Sequence, residues 1–248
     1  GSRIIRNAHR INRGLLPEKT PPNQTELSDF YWIEQDDPER ALELIAKLIT
    51  ERIPERFGFN PVNDIQVLSP MNRGNCGTVE LNRMLQHLLN GGDKPQFKHG
   101  DRAIKSGDKV MQCSNNYDKG VFNGDMGRVL RIESGKKKFQ VVFDGGIAVD
   151  YNFDEADEIM FAYAITVHKS QGSEFPAVIL PMLSQHYMML QRNLLYTAVT
   201  RARKLLILIG SSKALETAVR NTRLAPRYSK LSAHLAEVRE KLHGAGRL

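Results

Sequence analysis

The chain has 248 residues, 41% of them hydrophobic, and a formal net charge of +7 from 35 Lys and Arg against 28 Asp and Glu. That length suits one large domain, or one domain with a small insertion, and the charge is compatible with a polyanion partner without proving one. Cys76 and Cys113 are the only cysteines, which argues against a disulfide framework and a zinc spacing, and no apolar run approaches the about 20 residues of a membrane span.

Ile4, Ile5, Ala8 and Ile11 recur at helical spacing, and Gly14 is placed to end that helix. Arg3, Arg6, Arg10 and Arg13 ride on it. A polar loop with Pro17, Pro21 and Pro22 follows, including the sequon Asn23-Gln24-Thr25, which would be idle in the cytoplasmic setting expected here. Phe30 to Glu34 reads as a strand, with Phe30, Tyr31 and Trp32 expected in the core. Asp37 is a candidate N-cap with Pro38 at the first helical position. Ala41, Leu44, Ile45, Leu48 and Ile49 then form one apolar face. Ile65 to Ser69 reads as a buried strand that runs into the turn Asn72-Arg73-Gly74-Asn75-Cys76-Gly77. The next helix carries Leu81, Met84, Leu85, Leu88 and Leu89 and stops at Asn90-Gly91-Gly92. Strand alternating with helix predicts α/β layering.

The texture changes after Gly107. Lys109 to Cys113, Gly127 to Ile132, Phe139 to Phe143 and Ile147 to Tyr151 are short β-like runs separated by turn signals. They predict a small antiparallel barrel at 116–157, set into an α/β domain made of 1–115 and 158–248. Lys136-Lys137-Lys138 falls at a hairpin tip and reads as a solvated turn. From Ala162 the α/β pattern resumes: a helix through 166–175, a strand at Ala177 to Leu180, a helix through 195–203, a strand at Leu205 to Gly210, then two more helices.

Two strings stand out in that last part: Thr166-Val167-His168-Lys169-Ser170-Gln171-Gly172-Ser173-Glu174-Phe175 and Leu195-Tyr196-Thr197-Ala198-Val199-Thr200-Arg201-Ala202-Arg203. Thr166, His168 and Ser170 can donate to phosphate oxygens, Gly172 lets a backbone come close, and Glu174 can accept from a ribose hydroxyl. Arg201 sits at a helix end, where a planar, always-charged guanidinium suits charge spread over phosphoryl oxygens. The plainer reading is that Arg201, Arg203 and Lys204 complement a helix C-terminus. The turn at Asn72, Arg73 and Gly74 opens a helix whose first N–H groups could hold an anion, or it is only a structural tight turn. No Gly-x-x-x-x-Gly-Lys-[Ser/Thr] occurs in the chain, so the phosphate cradle of a P-loop ATPase is absent. No carboxylate pair or metal-ligand cluster stands out.

The two strings resemble motifs V and VI of superfamily 1 helicases. Val67-Leu68-Ser69-Pro70-Met71-Asn72-Arg73-Gly74, Gly107-Asp108-Lys109-Val110-Met111-Gln112, Asn115-Asn116-Tyr117-Asp118 and Gly120-Val121-Phe122-Asn123-Gly124-Asp125 are similar to the RecD-type branch, as is the opening Ile4 to Asn12. The resemblance implies a RecA-like domain 2A without its P-loop, carrying an SH3-like 2B insertion. It implies ATP-dependent 5′→3′ translocation on single-stranded DNA, with ATP and Mg²⁺ held by an N-terminal RecA-like domain. By position, Arg201 would be the arginine finger. Gly172, Glu174 and Arg203 would face nucleotide. Thr166, His168, Ser170, Asn72, Arg73 and Gly74 would face DNA. A monomer without a membrane partner and without bound cofactor is expected, inactive towards ATP on its own. The helicase part of a conjugative relaxase, a Pif1-like enzyme and a non-catalytic scaffold remain the alternatives.

Overall fold

The computed structural model describes residues 1–21 and 27–222. In chain order they form helix α1 (Arg3–Asn12), strand β1 (Phe30–Ile33), helix α2 (Pro38–Lys47), a short helix α3 (Ile53–Phe57), strand β2 (Ile65–Ser69) and helix α4 (Thr78–Leu89). Short strands follow: β3 (Gln96–His99), β4 (Arg102–Lys105), β5 (Lys109–Gln112), β6 (Met126–Glu133), β7 (Lys138–Phe143), β8 (Ala148–Asn152) and β9 (Ile159–Phe161). Then come β10 (Ala164–Thr166), β11 (Phe175–Pro181), α5 (Arg192–Val199), β12 (Ala202–Ile209) and α6 (Ser212–Arg220).

Strands β1, β12, β11, β2 and β10 lie side by side in that order, all parallel. A parallel sheet must be covered on both faces, and its side chains alternate accordingly. Leu68, Val178, Leu180, Leu206 and Leu208 share one apolar layer with Ile11, Leu195 and Leu215 of α1, α5 and α6. Ile65, Val67, Ile179 and Ile207 share the opposite layer with Ala41, Ile45, Leu81 and Leu85 of α2 and α4. Local signals set the ends. Asp37 caps α2 by accepting from the Arg40 amide at 2.9 Å, with Pro38 in the first turn. Gly14, at φ +79°, follows α1. Phe30 is fully buried, and the Trp32 indole donates to the Gly210 carbonyl at 2.8 Å. Among the described residues no helix is long and apolar enough to cross a membrane.

The second sheet is antiparallel, in the order β8-β7-β6-β5-β9. It has its own apolar cluster, which includes Phe97, Val110, Val129, Phe139, Val141 and Tyr151. It extends beyond 116–157 at one side, where β5 pairs with β6 and with β9. Hairpin β3–β4, not expected from the sequence, adds Phe97 and Ile104 to the same cluster. Ser134–Lys136 makes the expected tip, with Lys137 at φ +50°.

One expected helix is not there. Thr166 ends strand β10, and 167–172 is a run of turns leading to β11. The polar side chains serve the backbone instead of a helix. Thr166 Oγ1 accepts from the Lys169 amide at 3.3 Å, and Ser170 Oγ donates to the Val167 carbonyl at 2.7 Å. Of the two helices expected after β12, α6 is observed and the other falls outside the described residues. The sequon lies outside them too.

A buried polar joint ties the two sheets together. Asp108 is fully buried, and burial pushes its carboxyl above the ordinary range while the hydrogen bonds from Lys105, Asn90, Gln86 and Tyr163 pull the other way. Its neighbour Lys109 sends Nζ to Gln66 Oε1 at 3.0 Å and to the Ile65 carbonyl at 3.4 Å. Burial, seconded by Arg128, pulls this ammonium down to about 8, while Asp144 and Asp64 oppose that change. The folded chain therefore binds fewer protons than the unfolded chain between about 8 and the ordinary lysine value of 10.5. Stability should rise with pH across that window, by roughly 1.4 kcal/mol for each step of one in pH. Urea unfolding at pH 7.5 and 9.5, compared with Lys109→Met, isolates this group. Parallel pH responses in the two proteins would show that Lys109 is not the source.

Candidate functional site

The parallel sheet sends its functional loops to two edges. At the C-terminal edge, Thr166 of β10 lies in register with Ser69 of β2. From Ser69 the chain enters the turn before α4. The Ser69 hydroxyl holds it by donating to the Cys76 carbonyl at 2.7 Å. A Cβ on Gly77 would sit 2.5 Å from the Arg73 carbonyl, so only glycine fits that packing. The first amides of α4 are already used: Thr78 donates to the Met71 carbonyl at 3.0 Å and Val79 to that of Asn72 at 3.1 Å. The anion cradle expected at this helix start is therefore largely filled by the chain's own carbonyls. Asn72, Arg73 and Gly74 stay exposed at the turn.

The turns after β10 divide the other candidates. His168 is exposed and Thr166 is nearly covered. Ser170 is fully buried and its hydroxyl is spent on Val167, so it is not a surface donor in this conformation. The physical reason is local: the hydroxyl closes the turn. Lys169, which the sequence does not mark as a candidate, is half-exposed beside His168.

At the opposite edge the two strings meet. Arg201 occupies the short link between α5 and β12, and its guanidinium reaches back across the chain. Nη1 donates to the Ser173 carbonyl at 3.0 Å, Nε to the Thr197 carbonyl at 3.1 Å, and Nη2 to Thr200 Oγ1 at 3.3 Å. The Phe175 amide returns a bond to the Arg201 carbonyl at 2.8 Å. A guanidinium carries five N–H donors, so this half-buried group is oriented by the fold without being exhausted by it. Arg203 pairs with Glu174 at 2.9 Å, but both side chains are mostly exposed, which makes the pair weak. Gly172, at φ +87°, has nothing within 4 Å of where a Cβ would stand. A cleft of about 800 Å³ opens beside Ser173 and Glu174, walled by Lys109, Arg128 and Phe143. Among the described residues no group of His, Cys, Asp or Glu is arranged to hold a metal ion.

Residues 81–143 match the ATP-dependent RecD-like DNA helicase SH3 domain, and residues 161–209 match the UvrD-like helicase C-terminal domain. The ATP-dependent RecD2 DNA helicase of Deinococcus radiodurans is 38% identical over 222 residues, 90% of this chain. This chain belongs to the RecD-like helicase family. The RecBCD enzyme subunit RecD of Haemophilus influenzae is 31% identical over 64% of the chain. The chain covers 28% of the first relative and 23% of the second. Pif1 helicase from Bacteroides, solved with ADP-AlF3 and single-stranded DNA, superposes with a TM-score of 0.51 at 16% identity, over 97% of this chain and 55% of that one. Pif1 helicase from Candida albicans gives 0.50 at 16% identity, over 94% and 58%. At that identity the likeness speaks for the fold alone. The parallel sheet is a RecA-like domain without its P-loop, and the antiparallel sheet is its SH3-like insertion.

The polar grip on Arg201 is only partly legible in the sequence. Thr197 and Thr200 stand three apart in the string, on one face of a helix end, which is the signal available there. The Ser173 carbonyl carries no signal at all.

Proposed function

We propose that this chain is the C-terminal motor half of an ATP-dependent 5′→3′ DNA helicase. In this reading it supplies an arginine finger to ATP held by a second, N-terminal RecA-like domain, and it forms part of a single-stranded DNA track. The observation that carries the reading is the set of bonds from Arg201 to Ser173, Thr197 and Thr200. They hold a permanent cation at a fixed place on the sheet edge with donors to spare. Gly172 leaves room for close approach and Glu174 offers an acceptor, which fits one side of a nucleotide. The P-loop lysine and the Mg²⁺ ligands would come from the other domain, where ATP supplies the scissile phosphoanhydride. The chain alone is then expected not to turn over ATP. We further propose that 116–157, which supplies most of the antiparallel sheet's own apolar cluster, works as an accessory unit.

The DNA track is assigned to the opposite edge, through Thr166, His168, Asn72, Arg73 and Gly74. Support comes from the exposure of His168 and Arg73 and from the net charge of +7. Binding should weaken as salt rises, with a log–log slope of about −0.7 per phosphate neutralised on a single strand. Arg73→Ala should make the slope shallower by about that amount and lower affinity alike on unrelated sequences. A salt titration on two oligonucleotides reads both. An unchanged slope and affinity in Arg73→Ala and His168→Ala would move the track elsewhere on the molecule, with Lys136 to Lys138 the next place to look.

A further inference from the structure

Most large apolar side chains are inside, but Tyr117 is 78% exposed and Phe122 is 46% exposed, with ring centroids 5.9 Å apart at 76°. Both stand on the connection between β5 and β6, and that connection is stiff. Asn116 and Val121 exchange backbone hydrogen bonds at 2.8 and 3.1 Å, and Val121 is buried as an anchor. The Lys119 amide donates to Asn116 Oδ1, the Phe122 amide to Asp125 Oδ2, and the Asn123 amide to Asn115 Oδ1. Asn116 Nδ2 is tied to Glu158 at 3.0 Å, and Lys119 to Glu155 at 2.8 Å. A loop so closely tied does not need its two outermost rings exposed for its own stability.

The root of this loop lies beside the other functional turn. Burial pushes the Cys113 thiol up, and the Lys169 and Arg102 charges pull it back, so Lys169 acts on the first residue of the loop. Met111 of β5 and Val167 share one apolar cluster. The tip itself carries Asp118 and Asp125 against Lys119, a balance unsuited to gripping phosphate. Open aromatic faces suit a flat, uncharged partner surface instead.

We propose that Tyr117 and Phe122 form a stacking platform for bases of single-stranded nucleic acid, continuing the path past His168 and Lys169 onto the antiparallel sheet. This rests on the DNA-track reading above. Stacking on an aromatic side chain depends on the base and not on its charge, so the platform contributes affinity without contributing salt dependence.

The test compares the chain with Tyr117→Ala/Phe122→Ala, and with Tyr117→Phe, by fluorescence anisotropy on an oligothymidine and on the same strand with a central run of abasic residues, across a salt series. Loss of one stacked base should lower affinity about 5- to 100-fold on the oligothymidine in the double variant, with the salt slope unchanged. Tyr117→Phe should bind like the parent. On the abasic strand, parent and double variant should converge. The thermal midpoint checks that the exposed substitutions leave the fold intact. Equal affinity of parent and double variant on oligothymidine, with Arg73→Ala still weakened, would overturn the platform while leaving the track; the rings would then serve a protein contact. No binding by the parent at low salt would overturn both.

Discussion

Replacing Arg201 with alanine in a complete protein that carries both RecA-like domains should abolish nearly all DNA-stimulated ATP turnover. Single-strand affinity should stay close to the parent. The loss should fall in the range of about 10³ to 10⁵ seen when an arginine finger is removed, because in the role proposed for it the group would stabilise charge in the phosphoryl transition state. Its geometry supports a sharp effect. Three hydrogen bonds fix the guanidinium plane against Ser173, Thr197 and Thr200. Arg201→Lys should fail too: a lysine has a point charge and no planar fork, so it cannot hold Ser173 and reach a phosphate together. The same bonds join the two motif strings, so a thermal midpoint must accompany the kinetics. Turnover within a few-fold of the parent would leave Arg201 as a strap between α5 and the turn before β11, and nothing more. An equal fall in DNA affinity would point to a disturbed track.

Asp108→Ala should cost several kcal/mol of stability, because each buried donor left without its acceptor costs about 1 to 3 kcal/mol. The carboxylate takes Asn90 Nδ2 at 2.7 Å and the Tyr163 hydroxyl at 3.0 Å on one oxygen. On the other it takes Gln86 Nε2 and the Lys105 amide, both at 2.7 Å. Those donors come from α4 and its C-cap, the last residue of β4, and the segment entering β10. Deleting the acceptor takes the partner from the Tyr163 hydroxyl and the Lys105 amide and one of two bonds from Asn90 and Gln86, which is why the cost exceeds that of one ordinary hydrogen bond. Asp108→Asn should also be destabilising, since its amide would turn N–H groups towards donors. Urea midpoints at constant slope give the numbers. A loss below about 1 kcal/mol would mean that the joint reorganises around solvent.

Much of the frame is legible in the sequence. The extents of β2 and α4, the cap on α2 and the short runs of the second sheet rest on periodicity and on neighbours within a few residues. The strings at 166–175 and 195–203 likewise lead to the RecD-like family. The segment after Thr166 reads as a helix and folds as turns because Thr166 and Ser170 bond their own backbone, a competition that an apolar pattern does not register. Ser170 resembles a phosphate donor for the same reason.

What the sequence by itself determined is most of the elements and the chemistry on offer: α/β layering, a β insertion, and a cation at a helix end. The tertiary structure decided which polar groups are spent and which are presented. Arg201 meets Ser173 across 28 positions of chain, and Asp108 meets Tyr163 across 55. No local periodicity encodes such contacts. Buried donors and acceptors must find partners wherever the sheet order brings them, and that order is settled only when distant strands pair.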